Sequence, residues 1–366
     1  MTKELTYKDA GVDIEGSKSA LERMKEYCLA TYDEHVVGGI GAFAGSLAIG
    51  DVIRHFGMKD PIQGFSVDGP GTMPIIGTLA REVIPKSFVG PAYSTACHIF
   101  ADLATEAGYP VALLDVIDSE TVDEEIYAEI LEGMAQACLE FDPMPRILGG
   151  ETAQLPGVIV KGQTSFNIFG VSLVDREDKI NALERILPGQ HIVGVQSKGI
   201  HLNGTSLARK IMFDRLKMKI SDKIPATGKS VAEELTQKQP NYAKMVFALL
   251  DAGCQISACS NITGGGLYDN IERNLPEGSV AAIDPERWPR MPFFEWLIEM
   301  GNVALIEAYR TWNMGIGYVF ILPKHEDVSK AIDIVQTQFN LDAWAIGAVL
   351  QGKKGVEILG VDHREP

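Results

Sequence analysis

Apolar runs short enough for strands alternate with helical stripes along the whole chain, and most switches between them pass through a glycine-rich loop. That alternation restricts the fold to an α/β arrangement, because side chains repeat every second residue in a strand and about every 3.6 residues in a helix. The plainest helix is TVDEEIYAEILEGMAQACLEF. Ile126, Ile130, Met134, Ala137 and Phe141 make one stripe there, acids crowd the first turn where the helix dipole favours them, and Pro143 and Pro145 end it. SKSALERMKEYCLATY reads as an earlier helix, opened by Ser19 and Glu22 at capping-box spacing, with Leu21, Met24 and Cys28 on one face. PIQGFSV, RIL, FNIFGVSLVD and HIVGVQSKG read as strands. The tail GIGYVFILPKHEDVSKAIDIVQTQFNLDAWAIGAVLQG reads as strand, helix, strand, the helix marked by Val328, Ile332, Val335 and Phe339. A chain of 366 residues exceeds what one core usually organises. The charged DREDKINALERILPGQ, closing on Pro-Gly, divides it into expected domains of 1–175 and 176–366.

Charge narrows the partners. A formal net charge of −16 repels nucleic acid and anionic membrane alike, so an anionic ligand needs a local basic or metal-lined site. The first residues carry no apolar signal region and no stretch reaches membrane-span length, which leads us to expect a cytoplasmic protein. Cys28, Cys97, Cys138, Cys254 and Cys259 lack C-x-x-C spacing and read as buried thiols rather than a disulfide or zinc framework.

The loops hold the chemistry. In SVDGPGTMP, Asp68 stands where an apolar run stops. An Asp-Gly pair can simply turn the chain, or the N–H groups of Gly69 to Thr72 can face an anion while Asp68 holds a divalent cation. YKDAGVD offers Lys8 with Asp9 and Asp13, and VGGIGAFAG allows a close backbone approach. GGETAQLPG sets Gly149, Gly150, Glu151 and Thr152 on a flexible loop at a strand end, where α/β proteins gather ligands. TGGGLYDN sets Thr263, Gly264, Gly265 and Gly266 just before a helix, an arrangement that presents N–H groups to phosphate. There is no G-x-x-x-x-G-K-[ST], and no G-x-G-x-x-G follows a strand, so neither an ordinary P-loop nor a dinucleotide fold is indicated.

Taken in order, YKDAGVD, DGPGT, GGETAQLPG, SKGIHLNGTSLARK, NITGGGLYDNI and YRTWNMGIGYVFIL resemble the phosphoribosylformylglycinamidine cyclo-ligase (AIR synthetase) family, from Tyr7 to about Leu350. The resemblance implies a two-domain α/β AIR-synthetase-like fold. Residues 1–175 would bind ATP and dimerise, their strands forming a barrel at the interface of a homodimer, and residues 176–366 would form a C-terminal α/β domain. It implies ATP-dependent closure of formylglycinamidine ribonucleotide to aminoimidazole ribonucleotide in purine biosynthesis. ATP phosphorylates the formamide oxygen, the amidine nitrogen attacks, and phosphate leaves. Such chemistry asks the protein mainly for positioning and charge neutralisation.

By the same match, ATP falls to Lys8, Asp13, Asp68, Gly69, Gly71, Thr72, Asp102, Gly149, Gly150, Glu151 and Thr152, and Mg²⁺ to Asp68, Asp102 and Glu151. His201 and Asn203 of the H-x-N-G motif are the implied catalytic pair, and Thr263 and Gly264 to Gly266 the substrate loop. On the residues alone, Asn203 also reads as a helix-start cap and Asp102 as a solvated acid. The chain departs from the family twice. Met73 replaces the lysine of D-G-V-G-T-K, and Ala101 the asparagine before the second aspartate, with Arg81 or Lys86 as candidate replacement cations. Two alternatives stay open, a paralogue acting on another small substrate and a catalytically silent nucleotide-binding dimer. Retention of Asp68, Glu151 and His201 favours an enzyme over a silent protein.

Overall fold

In a computed structural model that describes residues 5–181 and 183–361, apart from the side chain of Lys8, the alternation resolves into two mixed sheets backed by helices. The first half runs α1 (Ile14–Leu29), a ribbon of β1 (Val36–Gly38) and β2 (Ser46–Leu47), α2 (Ile49–His55), β3 (Pro61–Asp68), α3 (Met73–Ala80), α4 (Val89–Ala104), β4 (Tyr109–Ser119), α5 (Glu124–Cys138), β5 (Arg146–Gln154) and β6 (Thr164–Asp175). The second runs β7 (His191–Gln196), α6 (Thr205–Arg209) leading into a π-turn (Lys210–Arg215), α7 (Val231–Leu235), α8 (Tyr242–Asp251), β8 (Ala258–Asn261) and α9 (Gly266–Glu272). It closes with β9 (Ser279–Ile283), α10 (Pro292–Gly301), α11 (Leu305–Thr311), β10 (Ile316–Leu322), α12 (His325–Phe339), β11 (Ala343–Gln351) and β12 (Gly355–Ile358).

Two local readings change. Helix α1 starts at Ile14, capped by Asp13, whose Oδ1 accepts the Gly16 N–H at 3.2 Å. Ser19 therefore lies inside the helix and donates to Glu124 instead of capping. GGETAQ is strand rather than flexible loop. The eleven residues of β4 offer pairing partners as far as Gln154, so Glu151 lies opposite Val116 and Thr152 opposite Ile117.

The sheet of the first half has the order β3-β6-β4-β5, and that of the second β12-β9-β11-β7-β10-β8. One face of the first packs on α4 and α5 through residues such as Phe100, Leu113, Ile130, Met134 and Ile168. Its opposite face is covered in part, where Val52, Ile53 and Phe56 of α2 pack with Val111, Val171 and Leu173, while Phe65 and Val67 on β3 and Val116 on β4 are exposed among the described residues, and Phe65 stacks on Phe169 with ring centroids 5.9 Å apart. An exposed apolar patch of this kind is the usual mark of an interaction surface. All five cysteines are buried and free. Among the described residues, no helix is long and apolar enough to cross a membrane.

Candidate active site at the domain cleft

Where β3 ends and α4 passes beside it, a cleft of about 460 Å³ opens between the two halves, within the range of small-ligand sites. Asp68 lies at the end of β3, half exposed, and Asp102 on the facing turn of α4. His98, one helical turn before Asp102 and 3 % exposed, sits between them. Its Nε2 is 3.2 Å from Asp68 Oδ2 and 4.0 Å from Asp102 Oδ2. Burial alone would lower the His98 pKa, but the Asp102 and Asp68 carboxylates outweigh it and raise the pKa above the usual histidine value. Burial conversely raises that of Asp68, and the His98 and Gly69 N–H groups outweigh it, holding this carboxyl below its ordinary range. From the other half, Asn261 Nδ2 donates to Asp102 Oδ1 at 2.8 Å, so the second aspartate is held across the domain boundary and is no free solvated acid.

The DGPGT and HLNG loops meet beside this cleft. Thr72 Oγ1 and Ser206 Oγ are 3.1 Å apart, and Thr205 Oγ1 lies 3.5 Å from Met73 Sδ. The N–H of Gly69 donates to Asp68 Oδ1 at 2.7 Å, so this member of the expected anion nest is turned inward. Gly71 has φ +57°, and Gly69 admits no β-carbon because Asn167 Oδ1 occupies that space. Asn203 does not cap α6; the cap position is Gly204, left-handed at φ +77°. The Asn203 side chain instead faces the TGGG loop, its Oδ1 3.5 Å from where a β-carbon of Gly264 would stand. Within that loop Asn270 Nδ2 donates to the carbonyls of Gly264 and Gly266, and Thr263 Oγ1 donates to Asn270 Oδ1.

YRTWNM braces both loops from behind. Trp312 Nε1 donates to the Gly204 carbonyl at 3.1 Å and Asn313 Nδ2 to the Gly199 carbonyl at 2.9 Å. A β-carbon on Gly266 would overlap the Tyr309 carbonyl. His201 is buried beside the cleft and holds φ +59°, its Nε2 accepting the Lys198 N–H at 3.3 Å. Burial, with a smaller push from His98, lowers its pKa to about 3. It is therefore a neutral imidazole at pH 7, with Nδ1 left to carry the proton.

The remaining predicted residues do not join this group. Asp68 and Asp115 both lie opposite Ile168, and Asp115 lies opposite Gly150, which puts Glu151 about 14 Å from Asp68 across three strand spacings. Asp68, Asp102 and Glu151 thus cannot converge as one metal set within the chain. Among the described residues no three His, Cys, Asp or Glu side chains are arranged to hold a metal. Gly150 is glycine because a β-carbon there would overlap the buried Asp115. That carboxyl is pushed up to about 7 by burial and secondarily by Glu151, and its Oδ2 has no hydrogen-bond partner. Gly149, at φ +141°, precedes it. Asp13 is tied to the same edge, its N–H donating to Gln154 Oε1 at 2.8 Å, while the Lys8 side chain lies outside the described residues.

The two departures have packing explanations. Met73 is 2 % exposed and belongs to the buried apolar cluster that also holds Ile200, Leu202, Ala208 and Met212, so its side chain is part of the core of the second half. Ala101 is fully buried, and its carbonyl accepts from Tyr318 OH. Neither proposed replacement cation reaches the cleft. Arg81 spans Glu125 and Glu129 at 2.9 Å each, and Lys86 pairs with Glu132 at 2.8 Å. Sequence reasoning missed His98 and Asn261. His98 carries a local signal, since it precedes Asp102 by four residues on one helix, whereas Asn261 has none because its partner is 159 residues away.

Models of AIR synthase related proteins match residues 65–174 with their N-terminal domain and 188–360 with their C-terminal domain. A phosphoribosylformylglycinamidine cyclo-ligase of Alkaliphilus oremlandii is 34% identical over 353 residues, covering 96% of this chain and 99% of its own. One of Carboxydothermus hydrogenoformans is 35% identical, covering 97% and 99%. Among solved structures, thiamine-monophosphate kinase of Stenotrophomonas maltophilia shares the fold at TM-score 0.65 and 14% identity, covering 93% of this chain and 96% of its own. The hydrogenase maturation protein HypE in complex with ATP does so at 0.60 and 18%, covering 94% and 92%.

Proposed function

This chain belongs to the phosphoribosylformylglycinamidine cyclo-ligase family, and from that premise we propose that its inter-domain cleft closes the imidazole ring of formylglycinamidine ribonucleotide at the expense of ATP. The observation that carries this reading is that Asp68, Asp102 and Thr263 of the TGGG loop line one cleft, with the HLNG loop set beside it against the DGPGT and TGGG loops, although they come from four separated segments. Asp68 and Asp102 are hard oxygen donors that fit Mg²⁺, which takes one or two carboxylates and completes its shell with phosphate and water. Bound there, the ion would neutralise charge on the transferring phosphoryl group. His98 and Asn261 hold those carboxylates in orientation. The loop of Thr263 and Gly264 to Gly266, with Asn203 beside it, faces the ribonucleotide, and His201 contributes as a neutral imidazole that fixes the start of its own loop.

Glu151, Thr152, Gly149, Gly150 and Asp13 form a second group on the β5 edge, which we assign to the ATP side of a homodimer built on the exposed patch of Phe65, Val67 and Val116. Five free buried thiols suit a cytoplasmic setting.

Purified protein supplied with the ribonucleotide, ATP and Mg²⁺ should form aminoimidazole ribonucleotide, releasing equal amounts of ADP and phosphate, and EDTA should abolish the reaction. Asp68→Asn should lower kcat/KM by on the order of 10²–10³. Binding of both ligands with no product would reject ring closure, and turnover only with another small acceptor would move the site to a different substrate.

A further inference from the structure

The cleft is electrically lopsided. Asp68, Asp102 and Glu106 lie on the wall from the first half, and each is answered: Asp68 by His98 at 3.2 Å, Asp102 by Asn261 at 2.8 Å, and Glu106 by Lys179 at 3.1 Å. The opposite wall includes the amides of Asn181, Asn261, Asn270 and Asn274 together with Arg273. The amides are spent on the protein itself. Asn274 Nδ2 donates to the Cys259 carbonyl and Ser260 Oγ, Asn181 Nδ2 to the Cys259 carbonyl, and Asn270 Nδ2 to the glycine loop.

Arg273 is different. It is exposed, and its guanidinium makes no hydrogen bond or ion pair within the described residues, although Asp269, Glu272 and Lys354 lie around a shallow recess beside it. Among the residues lining the cleft, it is the only permanently charged cation. In a protein of net charge −16, an anionic ligand has to find its positive charge locally. Met73, Arg81 and Lys86 do not provide it, the first being buried in a core and the other two paired to α5.

We propose that Arg273 is the anchor for a phosphate monoester, the 5′-phosphate of the ribonucleotide whose ring the enzyme closes. The assignment rests on the ring-closure reading for the identity of the ligand, and on the unpaired guanidinium for the phosphate. A planar fork of N–H donors matches phosphate oxygens two at a time. The position also matches. Arg273 follows α9, the helix that begins at the TGGG loop facing Asn203, so the ribose phosphate would lie against the second half while the reacting end points to Asp68 and Asp102.

The test compares wild type with Arg273→Ala and Arg273→Lys, varying the ribonucleotide and ATP separately. Arg273→Ala should raise KM for the ribonucleotide about ten- to hundredfold, as loss of one charge-assisted contact does, leaving KM for ATP within about twofold and kcat within about threefold. Arg273→Lys should recover part of the loss, since it keeps the charge but not the fork. The dephosphorylated riboside should bind wild type and Arg273→Ala equally weakly by calorimetry. An unchanged KM for the ribonucleotide, an equal loss for riboside and ribonucleotide, or a rise confined to KM for ATP would overturn the anchor. Calorimetry with ribose 5-phosphate separates this outcome from failure of the ring-closure reading. A wild type without turnover that still binds ribose 5-phosphate through Arg273 keeps the anchor and loses the reaction, whereas normal turnover with a silent Arg273→Ala keeps the reaction and loses the anchor.

Discussion

Met73→Lys would restore the family's lysine by sequence, yet the structure predicts damage rather than rescue. The side chain is 2 % exposed within the apolar cluster that includes Ile200, Leu202, Ala208 and Met212, with Thr205 Oγ1 at 3.5 Å from its sulfur. An ammonium group in that packing must either lose its proton or reach for water. Holding a lysine neutral at pH 7, against an ordinary pKa near 10.4, costs roughly 4–5 kcal/mol. Bending toward the Thr72 and Ser206 hydroxyls would lessen this, so the expected loss is about 2–5 kcal/mol out of a typical total of about 5–15 kcal/mol. Met73→Leu keeps the apolar volume and should cost under about 1.5 kcal/mol. Urea unfolding of the three proteins at pH 7 and pH 9.5, beside ATP turnover, makes the comparison. The buried lysine has its pKa depressed in the folded state, so the unfolded chain binds more protons and the deficit of Met73→Lys should shrink as pH rises. A Met73→Lys protein as stable as wild type with faster turnover would refute the reasoning, because position 73 would then face the phosphates.

Two further outcomes are expected. His201, with a pKa of about 3 when folded against 6.5 ordinarily, loses stability as pH falls below 6.5, whereas Asp115, about 7 when folded against 3.8, loses stability as pH rises from 3.8 toward 7. The opposed slopes offset one another in wild type, so unfolding free energies of Asp115→Asn should climb more steeply between about pH 4 and 6.5 than those of wild type, and parallel curves would show that Asp115 is not neutral when folded. If the proposed homodimer forms through the exposed patch of Phe65, Val67 and Val116, wild type should sediment as a dimer and Phe65→Glu combined with Val67→Glu as monomers without loss of secondary structure, since both substituted side chains are exposed in the single chain. A wild type that sediments as a monomer, or a variant that still sediments as a dimer, would remove this patch as the interface.

Periodicity carried the elements well where the chain itself supplies the periodicity. The stripe from Ile126 through Met134 became α5, and Val328 and Val335 face the core from α12. Reading failed where a distant partner decides. GGETAQ looks like a loop because of its glycines, but β4 supplies a strand for it to pair with, and Gly150 is there to clear Asp115. The same distance effect separated the predicted acids. Motif order placed Asp68 and Glu151 together, whereas three strand spacings divide them. Arg81 and Lys86 looked available from their nearness in sequence to Met73, but α5 holds them through Glu125, Glu129 and Glu132. The loops around the cleft were legible because their residue types follow from local backbone needs, such as the left-handed turn at Gly204.

The segment from Tyr309 to Asn313 touches both the HLNG loop and the glycine loop ahead of α9 without lining the cleft itself. It is the mould in which two separately encoded loops are cast. Transplanting these two loops onto another scaffold would therefore mean moving three stretches of chain, and the third has no reactive group to advertise it. A graft carrying only the two visible loops would deliver their own polar side chains and lose the relative placement that makes them part of a site.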